Sequence, residues 1–115
     1  MMSRLGVWFM GVLARLPLPV LRAMGAALGR VLFVLVVPRR KVALRNLELC
    51  FPQASVEQRT QWARESFIVF CQTWLDRSWL WSAPQSVVEQ RVKLQGAVQE
   101  LDGDVPTIIF APHFY

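Results

Sequence analysis

At 115 residues the chain is the size of one small domain, yet 54% of it is hydrophobic and 18% charged, against about a quarter charged for an ordinary soluble domain. A net charge of +5 raises nucleic acid as a partner, but the basic residues are scattered or flank an apolar segment, and no nucleic-acid motif accompanies them. Cys50 and Cys71 stand apart beside apolar neighbours, read as buried free thiols of a cytoplasmic-side protein, and with a single histidine leave no metal site.

From Leu5 to Val37 the ionisable side chains are Arg15, Arg22 and Arg30, with no acid, so residues 1–37 read as a hydrophobic membrane anchor. The uncharged runs Leu5 to Ala14 and Val31 to Val37 are each too short to span a bilayer, which takes about 20 residues. Two arrangements fit. In one, Leu18 to Val37 is a single spanning helix after the Pro17-Leu18-Pro19 break, with Arg22 and Arg30 snorkelling or facing protein, each at a cost of roughly 2.5–3.5 kcal/mol if held centrally. In the other, helices over Arg4 to Leu16 and Val20 to Val37 lie in the interface, with Arg15, Arg22 and Arg30 on one head-group face. The arginines, and the lack of a small-residue cleavage site before a polar start, argue against a removed signal peptide. Directly after the apolar run, Arg39, Arg40 and Lys41 are suited to anionic head groups and to fixing orientation.

Residues 38–115 have the charge density of a soluble domain. A helix is predicted from Arg39 to Leu49, stopped by Pro52. Ser55-Val56-Glu57-Gln58 has the form of a capping box, so a long helix is predicted from Val56 to Trp81, before Ala83-Pro84. Phe67, Phe70, Cys71, Trp74 and Leu75 share one face; Arg59, Arg64, Glu65 and Asp76 are left to solvent. Trp62, Trp74, Trp79 and Trp81 are dense enough for two readings: core packing, or a membrane-surface position for Trp79 and Trp81. Val87 to Leu94 reads as a strand, Gly96 to Leu101 as a short helix and Asp102-Gly103-Asp104 as a turn.

Pro106-Thr107-Ile108-Ile109-Phe110-Ala111-Pro112-His113 reads as an apolar strand that delivers the chain's histidine to a loop. In open α/β sheets the ligand crevice lies just past the carboxyl ends of the strands, which makes His113 the candidate catalytic residue. The order helices, strand, helix, strand points to an α/β fold with a mostly parallel sheet. A terminal strand of this kind needs partner strands and a covering helix, so the chain is expected to be the front part of a larger protein.

The apolar anchor, the run Arg39-Arg40-Lys41-Val42-Ala43-Leu44-Arg45-Asn46-Leu47-Glu48-Leu49-Cys50-Phe51-Pro52 and the strand ending Ala111-Pro112-His113-Phe114 together resemble the late acyltransferases of lipid A biosynthesis, the lauroyl and myristoyl transferases of Gram-negative inner membranes. Most of the chain is covered. The segment from Arg45-Asn46-Leu47 to Cys50-Phe51-Pro52 is the more specific part, since no general structural rule demands it.

The resemblance implies a glycerolipid-acyltransferase-like α/β fold, here as its amino-terminal portion. It implies transfer of a fatty acyl group from acyl carrier protein to a hydroxyl of a lipid A precursor at the cytoplasmic face of the inner membrane, with no cofactor. His113 matches the first position of a motif of His, four residues, then Asp or Glu; the acid falls beyond Tyr115, so the chain alone is expected to be inactive. In that chemistry a neutral imidazole takes the proton of the attacking alcohol while the carboxylate orients it, a contribution of roughly 10²–10⁴ in rate. Arg39, Arg40 and Lys41 then have three openings: anchoring, membrane lipid, or acidic acyl carrier protein. The reading from a different class is a non-enzymatic membrane-bound remnant or small interaction protein that works through its anchor and tryptophan-rich helix.

Overall fold

The computed structural model describes residues 2–93, 95–96, 99 and 103–108. It contains α1 (Met2–Leu13), α2 (Leu18–Leu35), α3 (Val37–Cys50), α4 (Val56–Ser82) and α5 (Gln85–Arg91), and among the described residues there is no strand. Two compact units divide the chain, Met1–Pro84 and Gln85–Tyr115.

In the first unit, α1 finishes where Arg15 and Leu16 bond back only three residues, to Val12 and Leu13. Pro17 is extended, and Pro19 sits in the first turn of α2, where a missing N–H leaves no bond unmade. Two helices thus occupy the apolar segment. Arg15 falls in the turn between them, so the single arginine face expected over Arg15, Arg22 and Arg30 does not exist. At 18 residues and about 27 Å, α2 is long and apolar enough to cross a bilayer by length and composition.

Helix α2 ends before Val37 because Pro38 has no N–H to offer the Val34 carbonyl. Val36, at φ −90° and ψ 67°, turns the chain, and α3 starts with Pro38 in its first turn. The helix stops at Cys50, where the Phe51 amide still reaches the Leu47 carbonyl and Pro52 prevents any continuation. No residue of α3 is fully buried. Cys50 is therefore exposed, against the expectation of a buried thiol, while Cys71 is buried.

The capping box of α4 is present in both halves: the Gln58 amide donates to Ser55 Oγ at 3.2 Å, and the Ser55 amide donates to Gln58 Oε1 at 3.0 Å. From there α4 runs 27 residues and forms the spine against which α1, α2 and α3 pack. Every fourth residue of α2 is buried, Leu21, Gly25, Gly29 and Phe33, and this line meets α4 along Ala63, Cys71, Leu75 and Trp79. Backbone meets backbone at the two glycines. A Cβ on Gly25 would lie 2.8 Å from Gln72 Cα, and one on Gly29 would lie 2.5 Å from Ile68 Cα. Gly25-Ala26-Ala27-Leu28-Gly29 is thus a small-xxx-small seam of the kind that lets helices approach closely.

That seam rotates α4 relative to the face read from the sequence. Cys71 and Leu75 are buried, Phe67 is half-buried, but Phe70 and Trp74 are exposed. Trp79 belongs to the core, and Trp81 is 74% exposed. The apolar surface continues over Leu5, Val7, Trp8 and Phe9 of α1 and Val31, Val34 and Leu35 of α2.

In the second unit, Gln85 to Arg91 is helical where a strand over Val87 to Leu94 was expected. The Gln85 side chain donates to Glu89 Oε1 at 2.7 Å, and Val87, Val88 and Arg91 share the half-buried face at helical spacing. Gly96 has φ 102°, outside the right-handed helical region, so the predicted short helix does not begin there, but Gln99 within it is in a 3-10 turn; the rest of its length lies outside the described residues. Bends follow at Gly103, Asp104 and Val105. Pro106, Thr107 and Ile108 carry no strand pairing, and the rest of the predicted terminal strand, with the sheet it would begin, lies outside the described residues.

Candidate functional site

His113 lies outside the described residues. The other predicted contact residues, Arg39, Arg40 and Lys41, occupy the start of α3. Arg39 and Lys41 are exposed, whereas Arg40 turns back onto the end of α2. Its Nη1 donates to the Phe33 carbonyl at 3.1 Å and to the Val34 carbonyl at 3.4 Å. These carbonyls lie at the end of α2 that the Pro38 break leaves short of amide donors, so one guanidinium meets the negative end of the α2 dipole.

Arg40 also stands over the Phe33 ring, its Cζ 5.5 Å from the centroid. Arg64, carried by α4, reaches the same ring at the same distance. Phe67 meets Phe33 edge-on at 5.5 Å. Phe33 is nearly fully buried beneath these neighbours. Arg64 is exposed, as expected from the sequence, yet its guanidinium also lies over Phe33, a contact the sequence did not suggest; the signal for it is the four-residue repeat of α2, which ends on Phe33 and turns it toward α4. Among the described residues, no carboxylate forms an ion pair with Arg40 or Arg64.

A second polar cluster lies near the opposite end of α2. Arg22 Nη2 donates to Asp76 Oδ2 at 2.9 Å, Trp79 Nε1 donates to Asp76 Oδ1 at 3.0 Å, and Gln72 Nε2 donates to the Arg22 carbonyl at 3.0 Å. Asp76 was expected at a solvent face, and Arg22 either at head groups or facing protein; Arg22 faces protein, and the pair joins α2 to α4.

The specific segment Arg45 to Pro52 closes the hairpin between α3 and α4. Phe51 packs edge-on against Trp62 at 5.4 Å. Arg45 donates to Glu48 at 2.6 Å, and this bond and charge, with Arg59 adding a smaller pull, hold the Glu48 carboxyl below its usual range. Glu57, in the first turn of α4, is lowered by its own backbone amide and by the Ser55 side chain. Among the described residues, no group of three or more His, Cys, Asp and Glu side chains is placed to hold a metal ion. The chemistry offered here is cationic: two guanidiniums over one ring, with exposed Arg39 and Lys41 beside them.

By length and composition α2 is long and apolar enough to cross a membrane, and the basic cluster lies at its end. The chain belongs to the bacterial lipid A biosynthesis acyltransferase family, which it matches over residues 1–115. It is 34% identical over 93 residues to the lipid A biosynthesis palmitoleoyltransferase of Escherichia coli K12, covering 77% of this chain and 30% of that protein. The lipid A biosynthesis acyltransferase of Shigella flexneri matches to the same extent. The lipid A biosynthesis lauroyltransferase of Escherichia coli K12 is 35% identical over 63 residues, 55% of this chain and 21% of that protein. The chain thus spans about 30% of the length of the first two relatives. No solved structure matches.

Proposed function

We propose that this chain serves a membrane-bound acyltransferase that moves a fatty acyl group from acyl carrier protein to a hydroxyl of a lipid A precursor, at the cytoplasmic face of the bacterial inner membrane. The observation that carries this reading is the family match along the whole chain, through the strand pattern that ends on His113. In this reading residues 1–37 anchor the protein, and the sheet of an α/β acyltransferase domain begins with the strand leading to His113. His113 takes the proton of the acceptor hydroxyl as that oxygen attacks the thioester carbonyl, and the tetrahedral intermediate then expels the carrier thiolate.

Arg39, Arg40 and Lys41 meet anionic lipid at the membrane surface, which the basic cluster at the end of α2 supports. The test is His113→Ala in a version that carries the acid five positions after His113, assayed for transfer from acyl carrier protein to lipid A precursor. Transfer should fall at least a hundredfold with membrane association unchanged; retained transfer removes the imidazole from the mechanism. The reading as a non-enzymatic membrane protein rests on the exposed apolar faces of α1 and α2, which need no catalysis to bind lipid, and it survives only if that same version shows no transfer with His113 in place.

A further inference from the structure

We propose that Arg40 and Arg64 form a two-helix clamp for a phosphoryl group, with the end of α2 and Phe33 as its floor. This rests on the reading of Arg39 to Lys41 as a lipid contact and sharpens it: the binding element is one residue of that run joined by one residue of α4, and not the run itself.

Three observations carry it. Both guanidinium carbons lie 5.5 Å from the centroid of one ring, so the two charges are no farther apart than twice that distance, close to one Debye length of roughly 8–10 Å, where repulsion between them is not fully screened. No acidic side chain among the described residues pairs with either, in a unit that does pair Arg22 with Asp76 and Arg45 with Glu48. Arg40 is held by two backbone carbonyls through Nη1 alone, and Arg64 makes no hydrogen bond among the described residues, so most of their N–H groups remain for a ligand. A guanidinium laid on an aromatic face is prealigned and weakly hydrated, which lowers the cost of meeting a phosphate.

The ligand chemistry follows. An oxyanion with several equivalent acceptors suits two planar forks arriving from different helices, and phosphate is the oxyanion that arginine recognises in bidentate fashion. The clamp sits at the end of the apolar helix and the apolar faces of α1 and α2 are exposed, so the phosphoryl group is that of an anionic lipid head group. Arg39 and Lys41 add long-range attraction, which any cation would supply.

The experiment uses the purified 115-residue chain and vesicles of phosphatidylcholine with and without 30% phosphatidylglycerol, at constant ionic strength. A general surface charge is worth about five-fold in partitioning, which is the loss expected from Lys41→Gln. Arg64→Gln should cost ten-fold or more, Arg64→Lys should not restore binding, and Arg40→Gln with Arg64→Gln should lose less than the product of the single losses, since either change opens the clamp. Arg40→Gln alone also uncovers two carbonyls, so helicity by circular dichroism is recorded for every variant, and the Arg64 variants decide where Arg40→Gln unfolds. Inorganic phosphate that displaces the chain from the anionic vesicles where chloride does not assigns the clamp to any phosphoryl group; displacement by neither assigns it to the head group. Equal losses from Arg64→Gln and Lys41→Gln, or full rescue by lysine, overturn the clamp and leave the lipid reading of the basic run intact. Equal binding of the unaltered chain to both vesicle types overturns both.

Discussion

Replacing Gly29 by alanine adds one methyl group at the tightest point between α2 and α4. The new Cβ would lie 2.5 Å from Ile68 Cα, 2.7 Å from its amide nitrogen and 2.8 Å from the Phe67 carbonyl oxygen. Ordinary contact between carbon atoms is about 3.5–4.0 Å, so the helices must separate by roughly 1 Å, and no flexible side chain can give way in their place. Overpacking of this kind costs about 1–3 kcal/mol, while alanine gains up to about 1 kcal/mol over glycine in helix propensity, so a net loss of up to about 2 kcal/mol is expected. Gly11 in α1 provides the control, because a Cβ there meets nothing within 4 Å and only the propensity gain remains. Denaturant unfolding of the full chain in detergent, followed by far-ultraviolet circular dichroism, should show Gly29→Ala less stable than the parent and Gly11→Ala at least as stable. If both variants are stabilised alike, the backbones of α2 and α4 are not in contact at Gly29, and the seam as described is wrong.

Ser55→Ala removes the oxygen that caps the Gln58 amide and should cost about 1 kcal/mol in the same unfolding assay, with Ser55→Asp restoring it. Exposed Cys50 should react with a maleimide in the native chain, while Cys71, buried and with its thiol pushed up by loss of solvent, should react only on unfolding. Because the folded chain holds Glu48 and Glu57 below the ordinary carboxylate value of about 4.3, their contribution is complete above that value and is lost as pH falls through the lowered ones. A pH series of melts should therefore be flat near neutrality and decline in acid, and Glu48→Gln should make the decline shallower.

Local signals in the sequence survived into the structure because the interactions behind them are local. The box at Ser55 and Gln58 and the stops at Pro17 and Pro52 involve residues no more than a few positions apart. Contacts across long separations left no comparable trace: Arg22 and Asp76 are 54 residues apart, and Arg64 meets Phe33 from another helix. The pattern at Val87 to Leu94 misled because Val88, Gln90, Val92 and Leu94 alternate, whereas Val87, Val88 and Arg91 also satisfy a helix, and the short segment after Pro84 adopts the second pattern. Cys50 misled for a related reason, since Leu49 and Phe51 beside it are themselves exposed. The glycine pair of α2 was visible in the sequence as a four-residue spacing, and it fixes which side of α4 is buried.

That seam also changes what the apolar segment means. Taken as an isolated helix, α2 carries Arg22 into lipid at roughly 2.5–3.5 kcal/mol, a cost that snorkelling only partly relieves. Packed on α4, the same arginine meets Asp76, whose other oxygen is held by Trp79, and the positive charge is neutralised within the protein. Neither ion is deeply buried, with Arg22 at 42% and Asp76 at 13% side-chain exposure, so the pair adds little to stability in water. Its value rises wherever lipid replaces water around it, since an unpaired arginine there has no cheap alternative. The close glycine approach makes the pairing possible, because it sets the two helices at a separation the side chains can bridge. Helix α2 and the tryptophan-rich α4 therefore form one packed element, in which the arginine of the apolar helix is already neutralised.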